Sequence, residues 1–240
     1  MASASSNPGS GAERAIRLLN GIMDELSIAA RSLGNEITAK QNSAEMPTTI
    51  ANAASELYEA AAGRLVNAVP NQPEVACCRG CTACCYLPVR TDAATVLSLV
   101  DHVRRTWTAP QQAALKRRVD EHIAAVEKAP NAPPADRPPC PFLIGDECSV
   151  HAQRPLVCRA MNSFDVDDCL DAAHTGKLQR ALRGDPVPSM VAHALQKGVN
   201  EALVQEGFSP ELVDFTPALK YALETPQASQ RWVDSKKLMP

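Results

Sequence analysis

The chain has 240 residues, a formal net charge of −3 and a sequence pI near 6.0. Its hydrophobic fraction of 45% is enough for one sizeable core, or for one core with a satellite. The lack of a basic excess argues against a nucleic-acid binder, and an aromatic content of only 4% argues against stacking platforms for bases or sugars.

Residues 1–13 are rich in Ser and Gly and are expected to form a disordered leader. They lack the basic and apolar regions of a secretory signal, and no apolar run of the chain reaches the length that spans a bilayer. We therefore expect a cytoplasmic protein without a membrane partner. In that compartment, clustered cysteines favour metal or redox chemistry over structural disulfides.

Two amphipathic helices are predicted ahead of the cysteines. Apolar residues recur at helical spacing over residues 14–33 and again over residues 48–69. Pro70 and Pro73 are expected to end the second helix. The first cysteines follow in the run "CCRGCTACC", which is predicted to be an irregular loop.

Two further helices are predicted between the cysteine segments. Thr91 is expected to cap the third helix, with Asp92 in its first turn. Pro110 stands where the fourth helix would begin. The proline-rich residues 129–139 are predicted to form an extended connector.

The remainder of the chain is predicted to return to helix after a short extended region. Two extended pieces are expected around a turn at Gly145 and Asp146, followed by a short helix through Cys169. Helical periodicity resumes over residues 188–206 and around residues 219–223. The predicted fold class is mainly α, with a helical scaffold around a loop-rich cysteine-cluster metal-binding centre and a few short extended segments. Residues 14–240 are predicted to form one domain whose metal-binding core is residues 76–170.

All nine cysteines lie between residues 77 and 169, which argues against their use as generic small hydrophobes. Cys78, Cys81 and Cys84 have the C-x2-C-x2-C spacing of zinc knuckles, which also begins the bacterial ferredoxin pattern. That pattern ends in a cysteine followed by proline, and Cys140 with Pro141 is the matching pair. The adjacent Cys85 serves a second site, bridges two ions or lines the core. Because these thiols outnumber the ligands of one tetrahedral site, we expect either two ions or an iron–sulfur cluster with extra thiols.

The runs "CRGCTACC" and "CPFLIGDECSVHAQRPLVCR" resemble the CxxCxxCC family, also called the YkgJ-type cysteine cluster proteins, over about residues 76–170. The resemblance implies a domain that chelates zinc or iron, the iron in one option as an iron–sulfur cluster, and it makes a metal ion the expected partner. Carried over by position, its metal-binding cysteines are Cys78, Cys81, Cys84, Cys85, Cys140, Cys148, Cys158 and Cys169.

Two positions within this resemblance stay open. Cys77 competes with Cys78 for the first ligand position, and His151 is either a ligand or a spacer-filling ring. A related cysteine cluster occurs in flagellin lysine N-methylases, which implies an iron–sulfur-dependent enzyme as the alternative function.

Charged residues near the cysteines have two interpretations. Arg154 and Arg159 flank Cys158 and are expected to offset thiolate charge, whereas the alternative is ordinary ion pairs with Asp146 or Glu147. The acidic residues 165–168 favour a solvated loop or a helix N-terminus over a metal site. Surface or packing roles are expected for the four histidines in helical segments, His102, His122, His174 and His193.

Overall fold

The computed structural model describes residues 9–65, 68–69, 72–176, 183–210 and 212–239. Helix α1, Gly9–Lys40, is longer at both ends than the predicted 14–33. It includes residues 9–13 of the expected disordered leader, because the Ala–Glu–Arg run after the two glycines favours helix. The rest of that leader lies outside the described residues, as does Pro70.

The described chain is mainly α-helical, as predicted. Helices α5 and α9 were not predicted, and short 3-10 turns occur at residues 83–86, 134–136 and 151–153. After α1, the elements are α2 Met46–Leu65, β1 Arg90–Thr91, α3 Ala93–Thr106, α4 Ala109–Lys128, β2 Leu143–Ile144, β3 Glu147–Cys148, α5 Leu156–Ala160, α6 Val166–Thr175, α7 Pro186–Gln205, β4 Val213–Asp214, α8 Phe215–Glu224 and α9 Ala228–Ser235.

The scaffold is built on the close packing of α1 against α7, with α2 and α3 beside them and α8 beyond α3. Gly198 permits this approach, because a Cβ there would lie 2.1 Å from the Ser27 carbonyl oxygen and 2.8 Å from the Ala30 Cβ. None of the helices in the described part of the chain has both the length and the apolar character required to cross a membrane.

The cap of α3 differs from the prediction by one residue. Asp92 is the N-cap, and its side chain accepts a hydrogen bond of 2.8 Å from the Thr95 N–H and one of 2.9 Å from the Thr95 hydroxyl. Thr91 instead lies in β1, paired antiparallel with Val213 of β4. The carboxylate of Asp92 satisfies an orphan donor of the first turn, which places the cap there.

The predicted start of α4 is confirmed, since Pro110 lies in its first turn behind a capping box at Thr108. The expectation of an extended connector over residues 129–139 was wrong in part. Residues 134–136 form a 3-10 turn, and the Arg137 guanidinium donates to the carbonyls of Pro130 and Ala132 at 2.7 Å each. One guanidinium thus satisfies several loop carbonyls and folds the segment back on itself.

The hairpin predicted around Gly145 and Asp146 is confirmed. Strands β2 and β3 pair antiparallel, with Leu143 opposite Cys148, and Gly145 has φ 62°. Directly before the hairpin, the buried Phe142 ring lies 6.0 Å from the rings of both Trp107 and Phe215. These contacts fasten the hairpin to the helical core.

Candidate metal centre

Three segments that are distant in sequence converge on one cavity of about 690 Å³. They are the loop before β1, the hairpin of β2 and β3, and the short helix α5. The cysteines that line this cavity are Cys77, Cys78, Cys81, Cys84, Cys85, Cys140, Cys148 and Cys158. Seven of the eight predicted ligands therefore share one wall, and Cys77 joins them.

Backbone hydrogen bonds fix the cysteine loop to the hairpin. The Cys140 N–H donates to the Cys85 carbonyl at 2.7 Å, which joins two parts of the chain that are 55 residues apart. Within the loop, the Cys81 N–H donates to the Cys78 carbonyl at 3.1 Å. The first of these bonds places the backbone of Cys85 beside Cys140.

The hairpin is in turn closed at its base. The Ser149 N–H and the Ser149 hydroxyl both donate to the Phe142 carbonyl, at 2.9 Å and 2.7 Å. Cys148 lies one residue away in β3, opposite Leu143. The position of this thiol is therefore set by the same turn that buries Phe142.

The Cys84 thiol is central to the cluster. Its hydrogen bond with Cys85, followed by burial, raises its pKa well above the usual range. Burial also raises the pKa of Cys140 and of Cys158, each to about 12, and Cys84 contributes to both shifts by charge repulsion. Without a metal ion, these thiols are protonated at neutral pH, so an ion that binds them as thiolates must displace their protons.

The two arginines beside Cys158 behave differently. The Arg154 guanidinium lowers the pKa of Cys84, Cys148 and Cys158, although other causes outweigh it in each case. Arg154 also donates to the His151 ring, and its charge lowers the pKa of that histidine. His151 lines the cavity, and its ring is hydrogen-bonded to Arg154. Neither observation chooses between a ligand and a spacer-filling ring.

The charge-compensating role predicted for Arg159 is not supported. Its guanidinium pairs with Glu59 at 2.5 Å, and its Nε donates to the Arg154 carbonyl at 3.0 Å. The alternative partner Glu147 is instead paired with Arg79 at 2.5 Å. The short helix α5 turns Arg159 away from the thiols, which the sequence spacing alone did not reveal.

Cys169 is the one predicted ligand that does not line the cavity. It is buried in α6, it does not line the cavity, and its thiol is hydrogen-bonded with Ser163. Burial raises the pKa of Cys169, and charge repulsion from Cys77 and Cys81 adds to this shift, so the thiol lies near the first cysteines. Cys77 and Cys78 are both exposed and both line the cavity, so this arrangement does not choose between them.

The acidic residues near Cys169 and the four histidines in helical segments do not line the cysteine cavity. Asp165 caps α6, and Asp168 accepts two hydrogen bonds of 2.7 Å from Arg183. The acidic run is therefore a helix N-terminus with an ion pair. The four histidines lie in four different helices, namely His102 in α3, His122 in α4, His174 in α6 and His193 in α7.

The donor set fits zinc or iron by its chemistry, since thiolates are soft ligands that both ions accept in proteins. Across the described ranges, however, no group of three or more His, Cys, Asp or Glu side chains is close enough to hold an ion as placed. The thiols share a wall without meeting at a point.

The apolar part of the cavity was not predicted. Five of its lining residues come from four places in the fold. Leu87 and Val89 lie just before β1, Phe142 lies just before the hairpin, Met161 follows α5 and Phe215 begins α8. Leu87, Val89, Phe142 and Met161 each lie within four residues of a cysteine, which is a signal that the sequence offered. Phe215 is far from any cysteine in the sequence, and the pairing of β1 with β4 helps to bring it to the site.

Comparison with known proteins agrees with the cysteine pattern. Residues 77–177 match the sequence model of the CxxCxxCC family, which is described as "Putative zinc- or iron-chelating domain". No curated protein and no solved structure matches the chain. The match includes the loop, the hairpin and α5, whose cysteines line the cavity, and α6, which carries Cys169. Residues 77–177 of this chain are therefore similar to the CxxCxxCC family, which supports the resemblance seen in the sequence.

Proposed function

We propose that this protein binds zinc or iron through the cysteines that line the large cavity. The observation that carries the proposal is the convergence of eight thiols from three separate segments on one wall. Buried cysteines used only for packing would be scattered through the core, and disulfides would pair them, whereas all nine cysteines are free thiols.

The chain contributes more than its thiols to this function. Arg154 supplies positive charge beside Cys84, Cys148 and Cys158, and this charge favours their thiolate forms. The backbone bond from Cys140 to Cys85 holds two ligand-bearing segments together before any ion binds. A bound ion supplies the remaining link between the loop, the hairpin and α5, so metal binding contributes folding free energy to this region.

The proposed ligand set centres on Cys84 and includes Cys81, Cys85, Cys140, Cys148 and Cys158. So many thiolates fit two ions or an iron–sulfur cluster better than one tetrahedral ion. Cys78 or Cys77 completes the set at the exposed end. Cys169 stays a prediction that rests on the family resemblance.

An iron–sulfur-dependent enzyme is the second candidate, and the size of the cavity favours it. A volume of about 690 Å³ is far larger than an ion needs, and it lies within the range of small-molecule pockets, about 300–1,000 Å³. The lining also includes apolar side chains, among them Phe142, Met161 and Phe215. Such a lining would hold an organic substrate next to the cluster.

The deciding experiment is elemental analysis of the protein purified anaerobically, with a visible absorption spectrum of the same sample. Zinc alone in a colourless protein supports chelation with a structural role. Iron with sulfide and a broad thiolate-to-iron absorption band supports the iron–sulfur candidate. A metal-free protein that binds neither added zinc nor added iron would refute both.

Two serine variants test the ligand set. Cys84→Ser removes the central thiol, so we expect it to lose most of the bound metal. Cys169→Ser changes a thiol outside the cavity wall, so we expect it to retain the metal. Full metal content in Cys84→Ser would contradict the proposed set, whereas metal loss in Cys169→Ser would restore this residue as a ligand.

A further inference from the structure

The cysteine cavity opens to solvent between two stretches of the chain. Its exposed lining residues are concentrated in residues 77–80 of the loop before β1 and in residues 146–147 at the tip of the β2–β3 hairpin. By contrast, Leu87, Phe142 and Phe215 line the cavity as buried residues. The two exposed stretches therefore form the mouth through which an ion would enter or leave.

An ion pair spans this mouth. The Arg79 Nε lies 2.5 Å from the Glu147 Oε1, although the two residues are 68 positions apart in the sequence. Arg79 directly follows Cys78, and Glu147 directly precedes Cys148. The pair therefore links the backbone beside one candidate ligand to the backbone beside another.

The backbone on each side of the mouth is set by a turn. The Cys81 N–H donates to the Cys78 carbonyl at 3.1 Å, and Gly80 has φ 88°, the positive φ that the third residue of a type II turn adopts. On the other side, Glu147 begins β3 directly after the hairpin turn. Arg79 and Glu147 therefore belong to two defined turns, and their contact depends on how the loop and the hairpin lie relative to each other.

The loop and the hairpin are also joined by a second contact, the backbone hydrogen bond from Cys140 to Cys85. Loss of the ion pair would leave this bond intact, so the fold of the region would persist. The exposed Cys77 and Cys78 would then move more freely relative to Cys148. The rate at which a bound ion escapes is therefore the property that the ion pair would change most.

We propose that the Arg79–Glu147 pair is a clasp across the mouth of the cysteine cavity, which slows the exchange of a bound metal ion. This inference rests on the proposed function, since it makes Arg79 and Glu147 positioning residues of that metal site. Neither side chain acts as a ligand, because a guanidinium has no acceptor atom for an ion and the Glu147 carboxylate is occupied by Arg79.

The test measures the rate of metal release from the full chain. The chain is loaded with zinc, or with ferrous iron if it takes up no zinc, and is mixed with an excess of a chromophoric chelator. Arg79→Gln and Glu147→Gln are each expected to release the ion about twofold to fivefold faster, which is the size of effect that an exposed ion pair has. The charge-swapped double variant, Arg79→Glu with Glu147→Arg, is expected to restore slow release.

Arg31→Gln is the matched control. It breaks a partly exposed ion pair with Glu201 that lies outside the cavity, so its release rate should equal that of the original chain. Added salt should speed release from the original chain and have little effect on Arg79→Gln, because salt screens exposed charges. The unfolding temperature of the metal-free variants should stay unchanged, and a lowered one would show a general structural role and overturn the clasp.

The remaining outcomes separate the clasp from the metal site itself. Equal release rates in all variants, or a double variant that stays fast, would overturn the clasp and leave the metal site standing. Opposite effects of the two single variants would also overturn the clasp, because they would report the local charge that the ion meets and not the contact between the two side chains. A chain that takes up neither zinc nor iron would overturn the proposed function and the clasp together.

Discussion

Replacing Phe142 by alanine tests whether the aromatic core holds the cysteine hairpin in place. Phe142 is 1% exposed, and its ring lies 6.0 Å from both Trp107 and Phe215. Phe→Ala at a buried site costs about 3–5 kcal/mol of unfolding free energy, from lost transfer energy and the cavity left behind. We expect the upper half of this range, because two ring contacts worth about 0.5–1.5 kcal/mol each are lost together.

The assay is urea denaturation of the metal-free chain, followed by circular dichroism. A chelator is added to remove any bound metal, so the difference in unfolding free energy between the variant and the original chain reports on packing alone. Phe142→Leu is the matched control and should lose about 1–2 kcal/mol, since it deletes fewer buried atoms. Ser149 donates to the backbone carbonyl of Phe142, so neither variant removes those hydrogen bonds. The unfolding free energy of a domain is typically about 5–15 kcal/mol, so the expected loss is large enough to measure. A decrease in unfolding free energy below about 1 kcal/mol in Phe142→Ala would refute the reasoning.

Four further predictions follow from the packing and the charges. Gly198→Ala should destabilise the chain by about 1–3 kcal/mol, because the added Cβ would meet backbone atoms. Gly63→Ala should instead stabilise the chain by about 0.5–1 kcal/mol, because an added Cβ there has nothing within 4 Å. Thermal unfolding of both variants checks that the two effects have opposite signs. Burial, and then the charge of Arg137, lowers the pKa of His122, so its contribution to stability is present above pH about 6.5 and is lost as the pH falls through its folded pKa. His122→Gln should flatten the acid limb of the unfolding midpoint against pH, and an unchanged limb would contradict this. Buried thiols with pKa about 12 must lose protons to bind zinc, so calorimetry in buffers of different ionisation enthalpy should report at least two protons released per ion, and no buffer dependence would count against thiolate ligation. Arg154→Gln should weaken zinc binding, while Arg159→Gln, whose partner is Glu59, should leave it unchanged in a competition assay with a chelating dye; equal effects would show that the two arginines do not differ.

Features that depend on neighbouring residues were predictable from the sequence. The helices follow apolar spacing, and their α-helical hydrogen bonds join residues only four apart. The hairpin at Gly145 was predicted because the turn requires a residue that tolerates positive φ. The cysteine spacing predicted the metal-binding family and confined the candidate ligands to one part of the chain. Errors of one residue, such as Thr91 in place of Asp92 as the cap, arise because adjacent residues of similar propensity compete.

Features that depend on distant contacts were decided by the tertiary structure alone. The hydrogen bond from Cys140 to Cys85 and the approach of Phe215 through β1 and β4 join residues that are far apart in sequence. The absence of Cys169 from the cavity lining likewise depends on how α6 packs. The different partners of Arg154 and Arg159 follow from the direction in which α5 turns each side chain. Such pairings are set by packing against the whole core, and local propensity carries no information about them. The sequence by itself therefore determined the kind of ligand atoms and the helices that carry them, while packing decided which thiols share a wall.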